Sequence, residues 1–152
     1  MSRKTNVTFV TILLLMALSS GLLAGCGVNS PSSGTEVELS MGSMNGMPAE
    51  VKAAPPTVQE AYRFAIANSD VLKQIPCYCG CGNMGHTSNY SCYVQGVDEK
   101  GMITYDTHAL GCSICVDITQ DTMRYQKEGK TVAEMKTLVD QTYAQYGPSN
   151  IP

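Results

Sequence analysis

Residues 76–92 read Pro-Cys-Tyr-Cys-Gly-Cys-Gly-Asn-Met-Gly-His-Thr-Ser-Asn-Tyr-Ser-Cys. Gly80, Gly82 and Gly85 lie among the four cysteines of this run, and glycines at that density predict an irregular loop instead of a helix or a strand. Pro76 is expected to end the preceding helix, because its ring fixes φ and it has no backbone N–H. We therefore interpret the run as a cysteine- and glycine-rich loop between helical segments.

Helical and hairpin patterns lie on either side of this loop. Apolar residues recur at helical spacing from 58 to 66, behind a capping-box pattern at Thr57 and Glu60. A further helical turn is expected over 70–74. After the loop, the glycine-bounded turn within 94–105 predicts a short hairpin.

Two helices are predicted on the C-terminal side. The first spans 106–127, and the second follows a capping box over 131–134 and ends at Gly147. The expected fold is therefore mainly α, a small helical domain over 57–147 with an irregular loop and a tail over 148–152. Its predicted core consists of Val58, Tyr62, Ile66, Leu72, Ile114, Ile118, Met135, Leu138, Val139 and Tyr143.

The N-terminus has the pattern of an export signal. Basic residues at positions 3 and 4 precede an apolar run over 9–18, which is shorter than the roughly 20 residues that a transmembrane helix needs. Leu23-Ala24-Gly25-Cys26 then resembles the lipobox of bacterial lipoproteins, in which the cysteine is acylated. Residues 1–25 are predicted to be a lipoprotein signal peptide and Cys26 the lipidated N-terminus; the alternative is a secretory signal with a chance cysteine.

The segment over 26–56 is predicted to be a flexible tether, because it is rich in Ser, Gly and Pro and poor in large apolar residues. Without the signal, the chain carries 8 basic and 13 acidic side chains. This acidic balance argues against nucleic acid as a partner, since no basic patch is available for phosphates. Acyl chains on Cys26 are instead expected to hold the protein on the extracytoplasmic face of the bacterial cell membrane.

All other thiols and both imidazoles fall between positions 77 and 115. The candidate metal ligands are Cys77, Cys79, Cys81, Cys92, Cys112, Cys115, His86 and His108.

Their spacing predicts a common pocket. On a helix starting near Asp106, His108, Cys112 and Cys115 at i, i+4 and i+7 project within about 60° of one another. The alternating cysteines of the loop would point to one side if extended. We expect the loop and the helix to form a thiolate-lined pocket between them.

Three interpretations of this cluster remain open. Six thiols with two histidines exceed the four ligands of a structural zinc and suit a multinuclear Cu(I)–thiolate cluster. Zinc held by four of the donors is the second. The third is three disulfides, or a thiol–disulfide redox pair at Cys112-x-x-Cys115, because the exported face is oxidising. No catalytic residue is expected; a thiol–disulfide oxidoreductase is the enzymatic alternative.

Methionines add a weaker signal. Met41, Met44 and Met47 have an M-x2-M-x2-M spacing, and Met84 lies two residues before His86. Thioethers are soft ligands for Cu(I), so these four are candidate accessory ligands; chance methionines in a tether are the alternative.

Residues 76–92 and the run Asp-Thr-His-Ala-Leu-Gly-Cys-Ser-Ile-Cys over 106–115 resemble two blocks of the bacterial lipoproteins with a PCYCGC motif, and residues 76–81 match that motif letter for letter. The resemblance implies a membrane-anchored, extracytoplasmic location more than an activity. We expect the protein to bind a soft metal, Cu(I) above zinc, for capture, storage or transfer to a membrane metal transporter or redox protein.

Overall fold

The computed structural model describes residues 37–151, so the predicted signal peptide, Cys26 and the first part of the tether lie outside the described residues. The described part is mainly helical, which confirms the predicted fold class. Its helices are α1 (Ala49–Ala53), α2 (Pro56–Ala67), α3 (Ser69–Leu72), α4 (His108–Gly111), α5 (Ser113–Lys127) and α6 (Val132–Tyr143). Short 3-10 turns cover Cys81–Met84, Asn89–Cys92 and Ala144–Tyr146. None of the helices between residues 37 and 151 is long and apolar enough to cross a membrane.

Helix α5 packs against both α2 and α6, and it also contacts α4. The predicted capping box at Thr57 is wrong, because α2 already begins at Pro56, whose missing N–H costs nothing in a first turn. The capping box of α6 is confirmed. Thr131 Oγ1 accepts the Glu134 N–H at 3.3 Å, and Glu134 Oε2 accepts the Thr131 N–H at 2.8 Å.

The predicted hairpin is confirmed as two antiparallel strands, β1 (Val94–Val97) and β2 (Ile103–Tyr105), with a register irregularity between Val94 and Gly96. Just outside it, the Asp106 N–H donates to the Tyr93 carbonyl at 2.9 Å. The hairpin therefore returns the chain to its starting point and brings α4 beside the end of the cysteine-rich loop.

Residues 37–56 do not form the flexible tether predicted for them. Gly42 and Arg63 exchange two hydrogen bonds of 2.8 Å, in which the Gly42 N–H and the Arg63 Nε–H each donate to the other's carbonyl. A Cβ on Gly42 would lie 2.2 Å from Ile66, so only glycine lets this segment approach α2 so closely. Met47 and Val51 are buried and anchor this segment, although its Ser, Gly and Pro content predicted a flexible chain.

The predicted core is confirmed in part. Six of its members are buried: Tyr62, Leu72, Ile118, Met135, Val139 and Tyr143. Four are only partly buried at its edge: Val58, Ile66, Ile114 and Leu138. Large buried side chains that the periodicity did not single out are Phe64, Ile75 and Tyr93.

Candidate metal centre

The cysteine-rich loop folds back on itself through two left-handed glycines. Gly80 (φ +81°) and Gly85 (φ +86°) flank the 3-10 turn, and a side chain at either position would strain the backbone. The loop thereby brings the sulfur atoms of Cys77, Cys79 and Cys81 within 4.8 Å of one another. The prediction of an irregular, close-turning loop is confirmed.

The helix predicted from 106 to 127 is interrupted, and that prediction is wrong. Cys112 has extended backbone angles (φ −125°, ψ 100°) and separates α4 from α5. The donor atoms of His108, Cys112 and Cys115 nevertheless converge, and all three lie within 4.8 Å of the Cys79 sulfur. Asp106 supports the start of α4, where its Oδ1 accepts the His108 N–H at 2.7 Å.

Five sulfur atoms form a continuous network centred on Cys115. Its Sγ lies 3.1 Å from that of Cys92 and 3.5 Å from those of both Cys77 and Cys79. Cys77 and Cys79 are 3.4 Å apart, and Cys81 is 4.0 Å from Cys92. Two thiolates on one tetrahedral metal ion lie about 3.8 Å apart when each metal–sulfur bond is about 2.3 Å.

These separations exceed the roughly 2.05 Å of a disulfide, and all six cysteines of the described chain are free thiols. A disulfide joins sulfur atoms in pairs, whereas Cys115 has three sulfur neighbours at nearly equal distances. The arrangement therefore matches a metal–thiolate site better than it matches three disulfides.

The eight predicted ligands form four overlapping groups whose donor atoms lie within 4.8 Å of one another. The groups are Cys79, His108, Cys112 and Cys115; Cys77, Cys79 and Cys81; Cys77, Cys92 and Cys115; and Cys81, His86 and Cys92. Five cysteines are shared by two groups each: Cys77, Cys79, Cys81, Cys92 and Cys115. Cys112, His86 and His108 each belong to one group, so they are the terminal donors of the network.

His86 has one ring nitrogen without a partner. Its Nε2 lies 3.4 Å from Asp106 Oδ2, while its Nδ1 is buried and makes no hydrogen bond. Histidine ligands of metals commonly donate their other N–H to a carboxylate, which fixes the tautomer and orients the ring. Nδ1 is therefore free to bind an ion that Cys81 and Cys92 could hold, and this atom without a partner fits a metal site.

The motif that supplies Cys77, Cys79 and Cys81 is also the motif that defines a known protein family. The family model described as "Protein of unknown function with PCYCGC motif" matches residues 10–152. The chain belongs to this family. No curated protein and no solved structure matched the chain significantly.

The PCYCGC loop (residues 76–81) is held by the C-terminal segment that the sequence suggested was a tail. Asn150 Oδ1 accepts the Cys77 N–H at 2.7 Å, and the Asn150 N–H donates to the Cys77 carbonyl at 3.1 Å. Asn150 Nδ2 also lies 3.5 Å from the Cys81 sulfur. Gly147 passes so close to the loop that a Cβ there would lie 2.8 Å from the Tyr78 carbonyl oxygen.

A second set of residues that the sequence did not mark as functional holds the Cys115 backbone. The Cys115 carbonyl accepts hydrogen bonds from Asn89 Nδ2 (3.1 Å) and Tyr93 Oη (2.8 Å), and Thr119 Oγ1 lies 3.1 Å from the same oxygen. Asn89 Oδ1 in turn accepts the Thr119 hydroxyl at 2.7 Å. All three side chains are fully buried. The only sequence signal for Asn89 was its position between Cys81 and Cys92, which is not specific.

The thiols of the cluster differ in how readily they ionise. Hydrogen bonds from Cys115 and Cys92 lower the pKa of Cys77. Burial raises the pKa of Cys79 and of Cys81, and the hydrogen bonds that Cys115 donates to Cys77 and Cys92 raise its own pKa. The cluster thus favours one thiolate and resists further negative charge, as expected of a buried site that a cation would neutralise.

The candidate accessory methionines belong to none of the four donor groups. Met47 is buried in the core, and Met41 and Met44 are partly buried against it. Packing therefore accounts for the M-x2-M-x2-M segment in the structure. Met84 is 64 % exposed on the 3-10 turn of the loop.

Proposed function

We propose that this protein binds Cu(I) in a multinuclear thiolate cluster at the extracytoplasmic face of the cell membrane, anchored by lipid on Cys26. Its task would be to capture or store the ion, or to transfer it to a membrane partner. The observation that carries the proposal is the sharing of Cys77, Cys79, Cys81, Cys92 and Cys115 between neighbouring donor groups. Shared thiolates are the bridges that a cluster of several ions requires.

The size of the groups favours Cu(I). Three of the four offer only three donors each, and two of those three consist of thiolates alone. Structural zinc takes four ligands in a closed tetrahedron, whereas soft thiolates select Cu(I), which accepts fewer.

Zinc is the second candidate, and one observation favours it. Cys79, His108, Cys112 and Cys115 form a set of three cysteines and one histidine, a common composition of structural zinc sites. A single zinc there would leave Cys77, Cys81 and Cys92 as buried thiols without a metal. The two candidates therefore differ in whether Cys77, Cys81 and Cys92 bind metal.

The test is a joint count of metal and free thiols on the full chain, expressed in a bacterial host and purified in detergent without oxygen. Copper binding predicts six cluster thiols and uptake of several Cu(I) ions per chain. No free thiols and no metal would mean three disulfides and would overturn the proposal.

A matched pair of variants separates copper from zinc. Cys81→Ser removes a shared donor of the Cu(I) cluster but no member of the zinc set, so it should lower the Cu(I) count and leave zinc binding unchanged. Cys112→Ser removes one of the four zinc ligands but only a terminal donor of the cluster. It should abolish tight zinc binding and lower the Cu(I) count by no more than one. The opposite pattern, with Cys81→Ser silent in both titrations, would favour zinc.

The membrane anchor needs its own experiment. The resemblance of residues 23–26 to a lipobox supports it. Growth with labelled palmitate should label the wild-type chain, and Cys26→Ser should remove the label and shift the protein from the membrane to the soluble fraction. A labelled Cys26→Ser protein would contradict the assignment.

A further inference from the structure

The eight donors differ in how far they reach solvent. Cys77, Cys81, Cys92, Cys115 and His86 are buried. The partly exposed donors are Cys79, His108 and Cys112. All three belong to the same group, with Cys115 as its buried fourth member. Of the four groups in the described chain, this one alone has more than one donor that solvent reaches.

A surface cavity of about 360 Å³ lies beside this exposed group. Residues 109–113, which include Cys112, form one wall, and Thr57, Val58, Val116 and Asp117 form the rest. The cavity is at the small end of the range for ligand pockets, so it suits one side chain or a small thiol instead of a large chelate. Its lining has no basic residue and one exposed carboxylate, Asp117, which favours the approach of a cation.

Resting on the proposed function, we propose that Cu(I) enters and leaves the cluster only through the face formed by Cys79, His108 and Cys112, here called the mouth. The cavity beside Cys112 receives the sulfur-bearing side chain, a thiol or a thioether, by which a donor or acceptor protein holds the ion. The partner is thus one that presents a single soft ligand to a small, weakly acidic recess.

The exchange is a ligand substitution in which copper stays Cu(I). A bond forms between the incoming ion and Cys112 Sγ, the thiol proton passes to solvent, and the ion's bond to the donor sulfur breaks. The ion then moves inward to Cys79 and Cys115. Because Cys79 and Cys115 each belong also to a buried group, they connect the mouth to the rest of the cluster.

Gly111 offers a way to block the mouth without touching a ligand. It lines the cavity, and a Cβ built on it meets no atom within 4 Å. Gly111→Phe should place a ring in the cavity and slow Cu(I) transfer from glutathione to the full chain by about tenfold or more, with the same final number of ions. Gly96→Phe is the matched control, since Gly96 also has open space around its Cβ but lies on the hairpin, and its transfer rate should match the wild type.

A second variant tests the same proposal in case Gly111→Phe does not fold. Asp117→Lys should slow transfer severalfold from a donor that carries Cu(I) with net positive charge, and the difference should vanish at high salt. Unchanged rates in both Gly111→Phe and Asp117→Lys, with normal Cu(I) counts, would overturn the mouth while leaving the cluster in place. Failure of the wild-type chain to take up Cu(I) would instead overturn the proposed function.

Discussion

Replacing Asn150 by alanine should loosen the PCYCGC loop from its C-terminal support. The change removes two side-chain contacts, the Cys77 N–H to Oδ1 bond of 2.7 Å and the Nδ2 contact of 3.5 Å with the Cys81 sulfur. The backbone bond from the Asn150 N–H to the Cys77 carbonyl remains. The variant therefore tests the contacts of the Asn150 side chain and leaves its backbone hydrogen bond in place.

The expected loss follows from these contacts. A typical hydrogen bond contributes about 1 kcal/mol net, and an N–H left without a partner in a partly buried position adds to the loss, while the contact with sulfur is weaker. We expect the free energy of unfolding of the metal-free protein to fall by about 2 kcal/mol, which is roughly 30-fold in the unfolding equilibrium. For a domain of this size the melting temperature should fall by about 8 °C.

The assay is thermal unfolding of the full chain in detergent, without oxygen and with a chelator, followed by circular dichroism. Asn83→Ala is the matched control, because Asn83 is an exposed asparagine just beyond the same loop. In the Cu(I)-loaded state, Asn150→Ala should also release copper to a competing chelator more readily, since Cys77 and Cys81 take part in three of the four donor groups. Melting of Asn150→Ala within about 2 °C of Asn83→Ala would refute the assignment of Asn150 as a support of the loop.

Three further predictions test other parts of the fold. Gly147→Ala should lower the free energy of unfolding by about 1–3 kcal/mol, because its Cβ would lie 2.8 Å from a backbone oxygen of the PCYCGC loop. Gly96→Ala is the control, because its Cβ would have open space, and its denaturation midpoint should differ from the wild type only by the change in strand propensity. Thr131→Ala should lower the free energy of unfolding by about 1 kcal/mol, because α6 loses its N-cap; denaturant titration measures the change. The metal-free protein should lose stability as pH rises above about 8.5, because thiols ionise there in the unfolded chain while burial keeps Cys79 and Cys81 protonated in the folded one.

Each of these predictions has an outcome that contradicts it. Equal destabilisation by the two glycine variants would mean that the C-terminal segment does not contact the loop closely. An unchanged midpoint for Thr131→Ala would mean that α6 frays at its start. A melting temperature of the metal-free protein that stays flat or rises between pH 8 and pH 10 would show that the cluster ionises as readily in the folded chain as in the unfolded one.

Several features of the fold could be predicted because their causes are local. Alternating glycines and cysteines forced a loop at 76–92, and Thr131 with Glu134 formed the capping box that their spacing indicated. The hairpin within 94–105 was also local, since its two strands are joined by a short turn. The break at Cys112 was missed because His108, Cys112 and Cys115 have the spacing of one continuous helix, although Gly111 directly before the break is a residue at which helices often end.

The donor types and their clustering are properties of the sequence: six thiols and two imidazoles within residues 77–115, close to a loop that only glycines allow. Which donors are shared, which reach solvent, and that Asn150 supports Cys77 across a separation of 73 residues, were decided by the tertiary structure alone. The physical reason is that donor type and turn chemistry are carried by neighbouring residues, whereas distance and burial depend on how helices far apart in the chain pack together. The eight candidate ligands could therefore be named from the sequence, but the proposed mouth could not.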